Sequence, residues 1–448
     1  MEPARSEHVL LTVLGIRAQE AEYSLDGSTF RARLAPVALY ELLPAEEKPS
    51  LVLALCTGEA AEQTWPVLHS ELAHRVRLDM IRVPEGSTQS DVETFLRVIL
   101  DGVSRFPEAN LTVDVTHGFR HFSFLMYIAA LYLSALKMVR VKRAVYGLLQ
   151  AGGGPSPFLD LAPLLEFPLW VHAIQVLAET GSALPIAELL RTRCPDDTGA
   201  RDVTEVLKEV SHAYTSGLPL ELGFAVRDLE SRAKTMERLL EQGCRLPLAS
   251  ELVDRLLKPL GPLACTPGPD RDVPKKGVEL NEAELRRQAR LVDHLLARQN
   301  LPAALGLMHE WTISWAIWKR GKLKRIRQWL KYKDVRYATH KFLEKCSDPL
   351  KTSPEQLSPE MAGLARFWDN LTELRNIYHH HGMREPSLTH QDPITQQKLD
   401  EVLKFWEKLR LLPEMPLNPR RGFQAPLMQQ GLLSDVRQPR RGTKSTDR

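Results

Sequence analysis

LTVDVTHGFRHF, residues 111–122, runs from a short apolar segment through a small polar turn into an amphipathic stretch. A run this short and this apolar suits a strand buried on both faces, and the turn suits the change to a helix. The same rhythm recurs through the first 150 residues, with candidate strands at 8–14, 51–57, 80–83, 111–116 and 143–149. Helical patterns fill the gaps, and that alternation predicts an α/β domain on a largely parallel sheet. Residues 23–33 break the rhythm: Asp26-Gly27 between two alternating stretches predicts a small hairpin inserted after the first strand.

Open α/β sheets bind ligands beyond the carboxyl ends of their strands. The quoted stretch places Asp114, Thr116, His117, Gly118 and Arg120 at such an end. Backbone N–H groups at a helix start favour phosphate, Arg120 adds a cation, and Gly118 lets a ligand approach the backbone closely. Thr57-Gly58-Glu59 offers a second strand end and Gly15 a third, so three loops can line one rim. No GxGxxG occurs, which disfavours a nicotinamide dinucleotide, and the Gly152–Gly154 run reads as a connection rather than a phosphate loop. The plainer alternative leaves Thr116 and His117 as helix caps without a ligand.

A chain of 448 residues is too long for one ordinary core, and 43% hydrophobic with 26% charged residues excludes wholesale disorder. The net charge of +3 is small, so attraction to a polyanion must come from local patches. Cys56, Cys194, Cys244, Cys265 and Cys346 are odd in number, scattered and never in a CxxC pair. That argues against a disulfide framework and a zinc site and points to a reducing cytoplasm. The N-terminus lacks a signal-peptide pattern, and no run approaches the ~18 apolar residues of a membrane span. Leucine-rich helical pattern covers 161–257, and Pro259, Pro262, Pro267, Pro269 and Pro274 then predict a linker or long loop. Asn281 and Glu284, spaced as an N-cap and its reciprocal acid, open a further helical region to about residue 412. The expected organisation is an α/β domain at 1–160, a helical connecting region and linker at 161–280, an all-α domain at 281–415 and a disordered basic tail at 416–448.

SPEMAGLARFWDNLTELRNIYHHHGM, residues 358–383, carries its own start and stop signals: Ser358 as N-cap, Pro359 at the first helical position and Gly382 past the end. Leu364, Phe367, Trp368, Leu371, Leu374 and Tyr378 form a packing stripe. Arg375, Asn376, His379, His380 and His381 crowd the last turns, with Asn376 and His380 four apart on one face. Cleaving RNA without a metal needs a proton carrier, a cation for charge developing on phosphorus, and orientation; histidine, arginine and asparagine supply them. Arg375 and His380 point roughly 140° apart on an ideal helix, so a composite site from two copies across a dimer axis is expected. The alternative is a histidine cluster that only complements the helix dipole, and no Asp or Cys stands at ligand spacing for a metal. Ten basic residues against one acid between 319 and 341, among them Lys322, Lys324, Arg325 and Arg327, interleave with Trp329, Tyr332 and Tyr337. Backbone charge with stacking surfaces suits single-stranded RNA, although a solvated helix face looks the same.

The Arg375-Asn376-Ile377-Tyr378-His379-His380 segment resembles the RNxxxH signature of HEPN ribonucleases, and the helix with Ala304, Glu310 and Trp311 resembles the first helix of that domain. LLTVLG (10–15), YSLDG (23–27), LALCTGEAAEQTW (53–65), VDVTHGFRHFSFL (113–125) and VYGLLQ (145–150) occur in the order seen in CARF domains of CRISPR-associated type III accessory ribonucleases. The resemblance covers about residues 7–180 and 281–412. It implies a Rossmann-like CARF domain that binds a cyclic oligoadenylate, with cyclic tetra-adenylate favoured, as a homodimer in the cytoplasm. Binding would activate an all-α HEPN dimer to cut single-stranded RNA without metal or cofactor in antiviral defence. The family's motif residues fall on Arg375, Asn376 and His380, while His379 and His381 are additional. Two rival expectations are a nucleotide-sensing RNA-binding regulator with a silent HEPN domain, and a ring nuclease that degrades the cyclic ligand itself with help from His117.

Overall fold

In the computed structural model, which describes residues 7–150, 154–266, 268, 274–352, 357–380 and 392–413, β1 (His8–Val13) lies inside an eight-stranded sheet. The chain continues through β2 (Ala21–Leu25), β3 (Ser28–Ala32), α1 (Ala35–Leu42), β4 (Leu51–Cys56), α2 (Gly58–Gln63), α3 (Trp65–Leu72), β5 (Arg77–Arg82), α4 (Gln89–Ser104), β6 (Ala109–Asp114), α5 (Arg120–Ala135), β7 (Val139–Gly147) and β8 (Ser156–Asp160). Spatial order is β3-β2-β8-β7-β6-β1-β4-β5. The five strands β7, β6, β1, β4 and β5 are parallel, with Val9 opposite Leu51 on one side and Leu111 on the other. Both faces are covered, as the continuous apolar strands require. Val9, Leu11, Val13, Leu53 and Val113 pack with Phe95, Ile99, Phe122 and Met126 of α4 and α5. Leu10, Val52 and Ala54 pack on the opposite face with Leu39, Ala60, Leu68 and Leu72 of α1 to α3.

The predicted hairpin is present as β2 and β3, and its turn residues Asp26 and Gly27 have φ of 49° and 85°. Two successive positive φ values give the turn whose twist matches the strands it joins. β8 was not predicted from sequence. Ser156–Asp160 is short and contains Pro157, which reads against a strand, yet it pairs antiparallel with β7 and parallel with β2. It thereby stitches the hairpin into the main sheet.

Helices dominate the remainder: α6 (Phe167–Thr180), α7 (Leu184–Arg193), α8 (Thr198–Thr215), α9 (Pro219–Ser231), α10 (Ala233–Arg238), α11 (Ala249–Leu260), α12 (Glu282–Ala297), α13 (Leu301–Lys319), α14 (Leu323–Ile326), α15 (Tyr337–Ser347), α16 (Pro349–Thr352), α17 (Pro359–His379) and α18 (Pro393–Leu409). The N-terminal α/β sheet followed by a mostly helical region is the architecture expected from sequence. The chain divides into two compact units, one of Met1–Ala178, Ala183–Thr204 and Lys234–Val253, the other of Glu179–Ser182, Glu205–Ala233 and Asp254–Arg448.

The second unit is centred on tryptophans. Trp311, Trp315, Trp368 and Trp406 are all fully buried, Trp311 meets Trp406 edge-on at 4.9 Å, and the N–H groups of these two donate to the Leu285 carbonyl (2.8 Å) and Asp293 (3.0 Å) respectively. Buried indole N–H groups need such acceptors. Asn281 caps α12 as predicted, accepting the Glu284 N–H at 2.9 Å. The Glu284 carboxylate turns instead to Arg287 at 2.6 and 2.7 Å, and Arg287 also reaches the Pro219 and Leu263 carbonyls. The proline-rich stretch departs from the linker expectation at its start: α11 runs to Leu260 through Pro259, whose missing N–H falls in the final turn, and Cys265 N–H bonds the Gly223 carbonyl at 3.0 Å. Residues 267 and 269–273, the segment holding His381 and Gly382, and the tail from 416 lie outside the described residues. No helix among the described residues is long and apolar enough to cross a membrane.

Candidate functional site

α17 begins and packs as its sequence predicts. Ser358 accepts the Met361 N–H at 3.3 Å, Pro359 follows, and Leu364, Phe367, Trp368, Leu371 and Leu374 are buried, with Tyr378 half-buried. At its end the Arg375 guanidinium donates to the Asn376 side-chain oxygen at 3.2 Å, and Arg375 Nε is buried with no hydrogen-bond acceptor among the described residues. His380 is the exposed C-cap residue, and its N–H bonds the Asn376 carbonyl at 3.0 Å. Asn376 and His380 are therefore joined through the backbone, while the Asn376 amide orients the arginine.

Arg375 and His379 line a groove of about 380 Å³ with Gly306, Glu310 and Ser314 of α13, and with Arg336. Arg336 donates to Glu310 Oε2 from Nε (3.2 Å) and from a terminal nitrogen (2.7 Å), and to the Glu310 carbonyl at 2.8 Å. Burial alone would raise the Glu310 carboxyl, but hydrogen bonds and charge from His309 and Arg336 outweigh it and hold the group at about 2. His309 sits behind, its Nδ1 3.4 Å from Glu310 and its ring stacked on Trp368 at 4.6 Å. His340 meets both rings edge-on and is lowered by its burial and by His309. The available sequence signal for Glu310 was a lone carboxylate inside the otherwise apolar α13. Arg336 gave none, because it is hidden in a basic run.

That basic run is only partly a surface. Lys322, Lys324 and Arg327 are exposed and Arg325 is half-buried. Tyr332 and Tyr337 are exposed, with Lys341 Nζ over the Tyr337 ring at 5.7 Å. Trp329 is not: it is buried, donating from Nε1 to the Val278 carbonyl at 2.9 Å. Arg336 is likewise withdrawn into its ion pair with Glu310.

In the α/β unit, the strand order changes direction between β1 and β6, and Gly15 and Thr116–His117–Gly118 follow those two strands. Thr57–Gly58–Glu59 follows the neighbouring β4, so the three predicted loops do share one edge. Gly15, Thr57 and Gly118 line a cavity of about 110 Å³ with Phe119 and Phe122. Most of the predicted polar groups are engaged within the fold. Thr57 caps α2 by accepting the Ala60 N–H, Glu85 accepts the Gly58 N–H at 3.2 Å, and Glu59 accepts from Gln63. Thr116 accepts the Gly147 N–H at 2.8 Å. His117 Nε2 accepts the Ala35 N–H at 3.1 Å, and burial lowers the imidazole against the opposing pull of Asp114. Asp114, itself buried, takes the Thr12 hydroxyl at 2.8 Å and the Thr116 N–H at 3.0 Å. Gly118 has φ of +93°, and a Cβ there would meet Val13 at 2.5 Å. Arg120 is exposed on the first turn of α5, whose N-terminus has no side-chain cap.

The chain matches no protein-family model. Over 132 residues, 29% of its length, it is 24% identical to the CRISPR-associated protein MJ1674 of Methanocaldococcus jannaschii. The matched stretch is 19% of that protein, so the chain spans about a fifth of the relative's length.

Proposed function

We propose that this protein is a homodimeric, metal-independent endoribonuclease of type III CRISPR defence, switched on by a cyclic oligoadenylate, with cyclic tetra-adenylate the favoured ring. The α/β unit is the CARF sensor and the helical unit the HEPN nuclease. One observation carries the reading most: at the end of α17 Arg375, held by the Asn376 side-chain oxygen, opens on a groove, and His380 caps the same helix with its N–H on the Asn376 carbonyl. A guanidinium there offsets charge developing on the phosphate, and an imidazole moves the proton of the attacking 2′-hydroxyl. The similarity to a CRISPR-associated protein supports the setting.

The sensor rim supports a dimer. Pockets for small ligands start at roughly 300 Å³, so the cavity of about 110 Å³ beside Gly15 and Gly118 accepts a phosphate-sized group rather than a ring of nucleotides. A second copy would supply the missing wall, and Phe124, Tyr132 and Leu136 leave an exposed apolar stripe along α5 and its C-cap for it. Ligand capture then shifts the population toward a nuclease-competent arrangement.

The test is cleavage of single-stranded RNA in EDTA, with and without cyclic tetra- and hexa-adenylate, comparing the unaltered protein with Arg375→Ala. Cleavage should require the ring and fall at least about 100-fold in the variant. An undiminished rate in Arg375→Ala would sink the assigned nuclease site, and loss of activity in EDTA would sink metal independence. Ring breakdown without RNA cleavage would favour the ring-nuclease alternative.

A further inference from the structure

We propose that Cys194 and Cys244 form a redox-responsive thiol pair, which a low-molecular-weight disulfide converts into an intramolecular bridge between the end of α7 and the turn that precedes α11. The pair stands apart from the ribonuclease reading and survives that reading's failure.

The two cysteines are distant in sequence but belong to one compact unit, and both are buried. Cys194 is the C-cap of α7, with its N–H on the Leu190 carbonyl at 2.9 Å. Cys244 is the C-cap of the π-helical turn Leu239–Gly243 after α10, with its N–H on the Leu239 carbonyl at 2.9 Å. A helix end therefore fixes the backbone of each. Gly243 shows how closely these ends meet: a Cβ there would run into Cys194 Sγ, so the sulfur lies against bare backbone beside Cys244. Burial pushes the Cys244 thiol up to about 12, and Cys194 adds to the rise as a neighbouring group and hydrogen-bond partner, against the opposing pull of Arg193. Thiols within hydrogen-bonding reach need only a small adjustment to close to the ~2 Å of an S–S bond.

The segments on either side of the sulfurs are already braced against each other. Asp197 accepts from a terminal nitrogen of Arg238 at 3.0 and 3.3 Å and from the Ala200 N–H at 3.1 Å, which ties the turn after Cys194 to α10. At Gly199 a Cβ would stand 2.9 Å from Thr235 Cγ2, a second close approach of the same two segments. A bridge between 194 and 244 would close a loop that holds α8 and α9, along which the chain leaves this unit after Thr204 and returns at Lys234. Closing so long a loop removes freedom from the unfolded chain and so stabilises the folded one. Cys56 and Cys265 are placed differently, their thiols turned to the Ala54 and Leu220 carbonyls at 3.8 and 3.9 Å, and they serve as internal controls.

The reaction is thiol–disulfide exchange. Cys194, having given its proton to water, attacks one sulfur of a small disulfide such as oxidised glutathione. The reagent's S–S bond breaks, and the departing thiolate takes a proton from water. Cys244 then gives its own proton to water, and its sulfur attacks the Cys194 sulfur of the mixed disulfide, expelling the second small thiolate, which is protonated in turn. Two electrons pass from the protein to the reagent, and one small disulfide becomes two thiols. Cys244 takes the second role because a thiol pushed so high presents little thiolate to an external reagent. Burial makes the first attack slow, since local opening at the end of α7 must precede it.

The experiment equilibrates the full-length protein with oxidised and reduced glutathione over a series of ratios, quenches it in acid, alkylates free thiols and maps the peptides by mass spectrometry without reduction. The expected product joins the peptides that carry Cys194 and Cys244, two hydrogens lighter than the reduced pair, and it disappears in dithiothreitol. The oxidised protein should melt several degrees above the reduced one. That shift should be absent from Cys194→Ala and Cys244→Ala and kept in Cys56→Ala and Cys265→Ala. Cys244→Ala should hold glutathione on Cys194, whereas Cys194→Ala should leave Cys244 largely unmodified. Gly243→Ala, which keeps both thiols but crowds Cys194 Sγ, should form severalfold less bridge at the same ratio. Melting of each reduced variant verifies its fold, and Cys194→Ser and Cys244→Ser replace any alanine variant that fails to fold. The proposal is overturned if Cys194 and Cys244 are both still alkylated at the most oxidising ratio, if the unaltered protein stops at mixed disulfides, or if the bridge appears only in urea.

Discussion

Arg336 holds Glu310 by its side chain and its main chain at once, with a terminal guanidinium nitrogen 2.7 Å from Oε2 and 2.8 Å from the carbonyl oxygen. The arginine is nearly buried, whereas the carboxylate is 46% exposed, so the two ends of the pair are unequal in solvent screening. Arg336→Met should cost about 2 kcal/mol, mainly from the unpaired Glu310 and Trp329 carbonyls and the Ser314 hydroxyl rather than from the ion pair. The Glu310 group is depressed in the folded state, so its share of stability is complete above the ordinary value of 4.5 and fades as pH falls toward about 2. Urea unfolding of both proteins at pH 7 and pH 3 should show the gap narrowing in acid. An equal gap at both pH values would mean that the charge contributes nothing.

His117 gives a second pH dependence in a different region. Its imidazole is lowered by burial and accepts the Ala35 N–H, which only the neutral ring does. Stability from this group is therefore complete above pH 6.5 and declines as pH drops below it. His117→Gln keeps an acceptor near the same place and should flatten the melting-temperature profile between pH 7.5 and 5.5. His117→Ala should lose about 1–3 kcal/mol at neutral pH, because the Ala35 N–H is left without its acceptor. An unchanged slope in His117→Gln would assign the acid sensitivity elsewhere.

If single-stranded RNA follows the basic segment between α13 and α15, the exposed rings matter and the buried one does not. Tyr332→Ala and Tyr337→Ala should each weaken binding by about 1–3 kcal/mol when a base stacks there. Replacing Lys322, Lys324, Arg325 and Arg327 by glutamate should lower the salt slope by about 0.7 for each RNA phosphate that is no longer neutralised. Trp329→Phe should leave RNA affinity alone and lower stability, since its indole N–H serves the Val278 carbonyl. Binding titrations across a salt series, with melting curves for Trp329→Phe, read all three, and an unaltered slope would place the RNA elsewhere.

What was legible in the sequence was local. The hairpin turn could be read because Asp26-Gly27 carries its own backbone preference, and α17 because Ser358, Pro359 and the leucine-aromatic stripe all lie within one helix. β1, β4 and β6 could be read because strands covered on both faces must be continuously apolar. What was not legible depended on partners distant in sequence. β8 is a strand because β7 and β2 flank it, against the local signal of Pro157. Trp329 and Arg336 look like surface in a basic run, and it is Val278 and Glu310 that bury them. The groove at the end of α17 was not legible either, because Gly306, Glu310 and Arg336 reach it from other segments of the chain.

The two glycines at the sensor rim should respond unequally to the same small change. Gly118 has φ of +93°, a region that side chains enter at about 1–3 kcal/mol, and its added methyl would also run into Val13 at 2.5 Å. Val13 is buried at the end of β1, so it has little room to yield. Gly15 faces Gly118 across the same gap, but a Cβ there meets the Gly118 nitrogen at 3.5 Å and His117 Cβ at 3.6 Å, both ordinary contacts. Gly118→Ala should therefore unfold several degrees earlier than the unaltered protein, and Gly15→Ala should melt within a degree or two of it. If the rim also holds a phosphate of the cyclic ligand, Gly15→Ala should still reduce ring-induced stabilisation, because its methyl enters the cavity of about 110 Å³ that both glycines line. Melting curves with and without the ring separate the two effects: a stable Gly15→Ala that binds the ring normally would remove Gly15 from the ligand site while leaving the backbone argument for Gly118 intact.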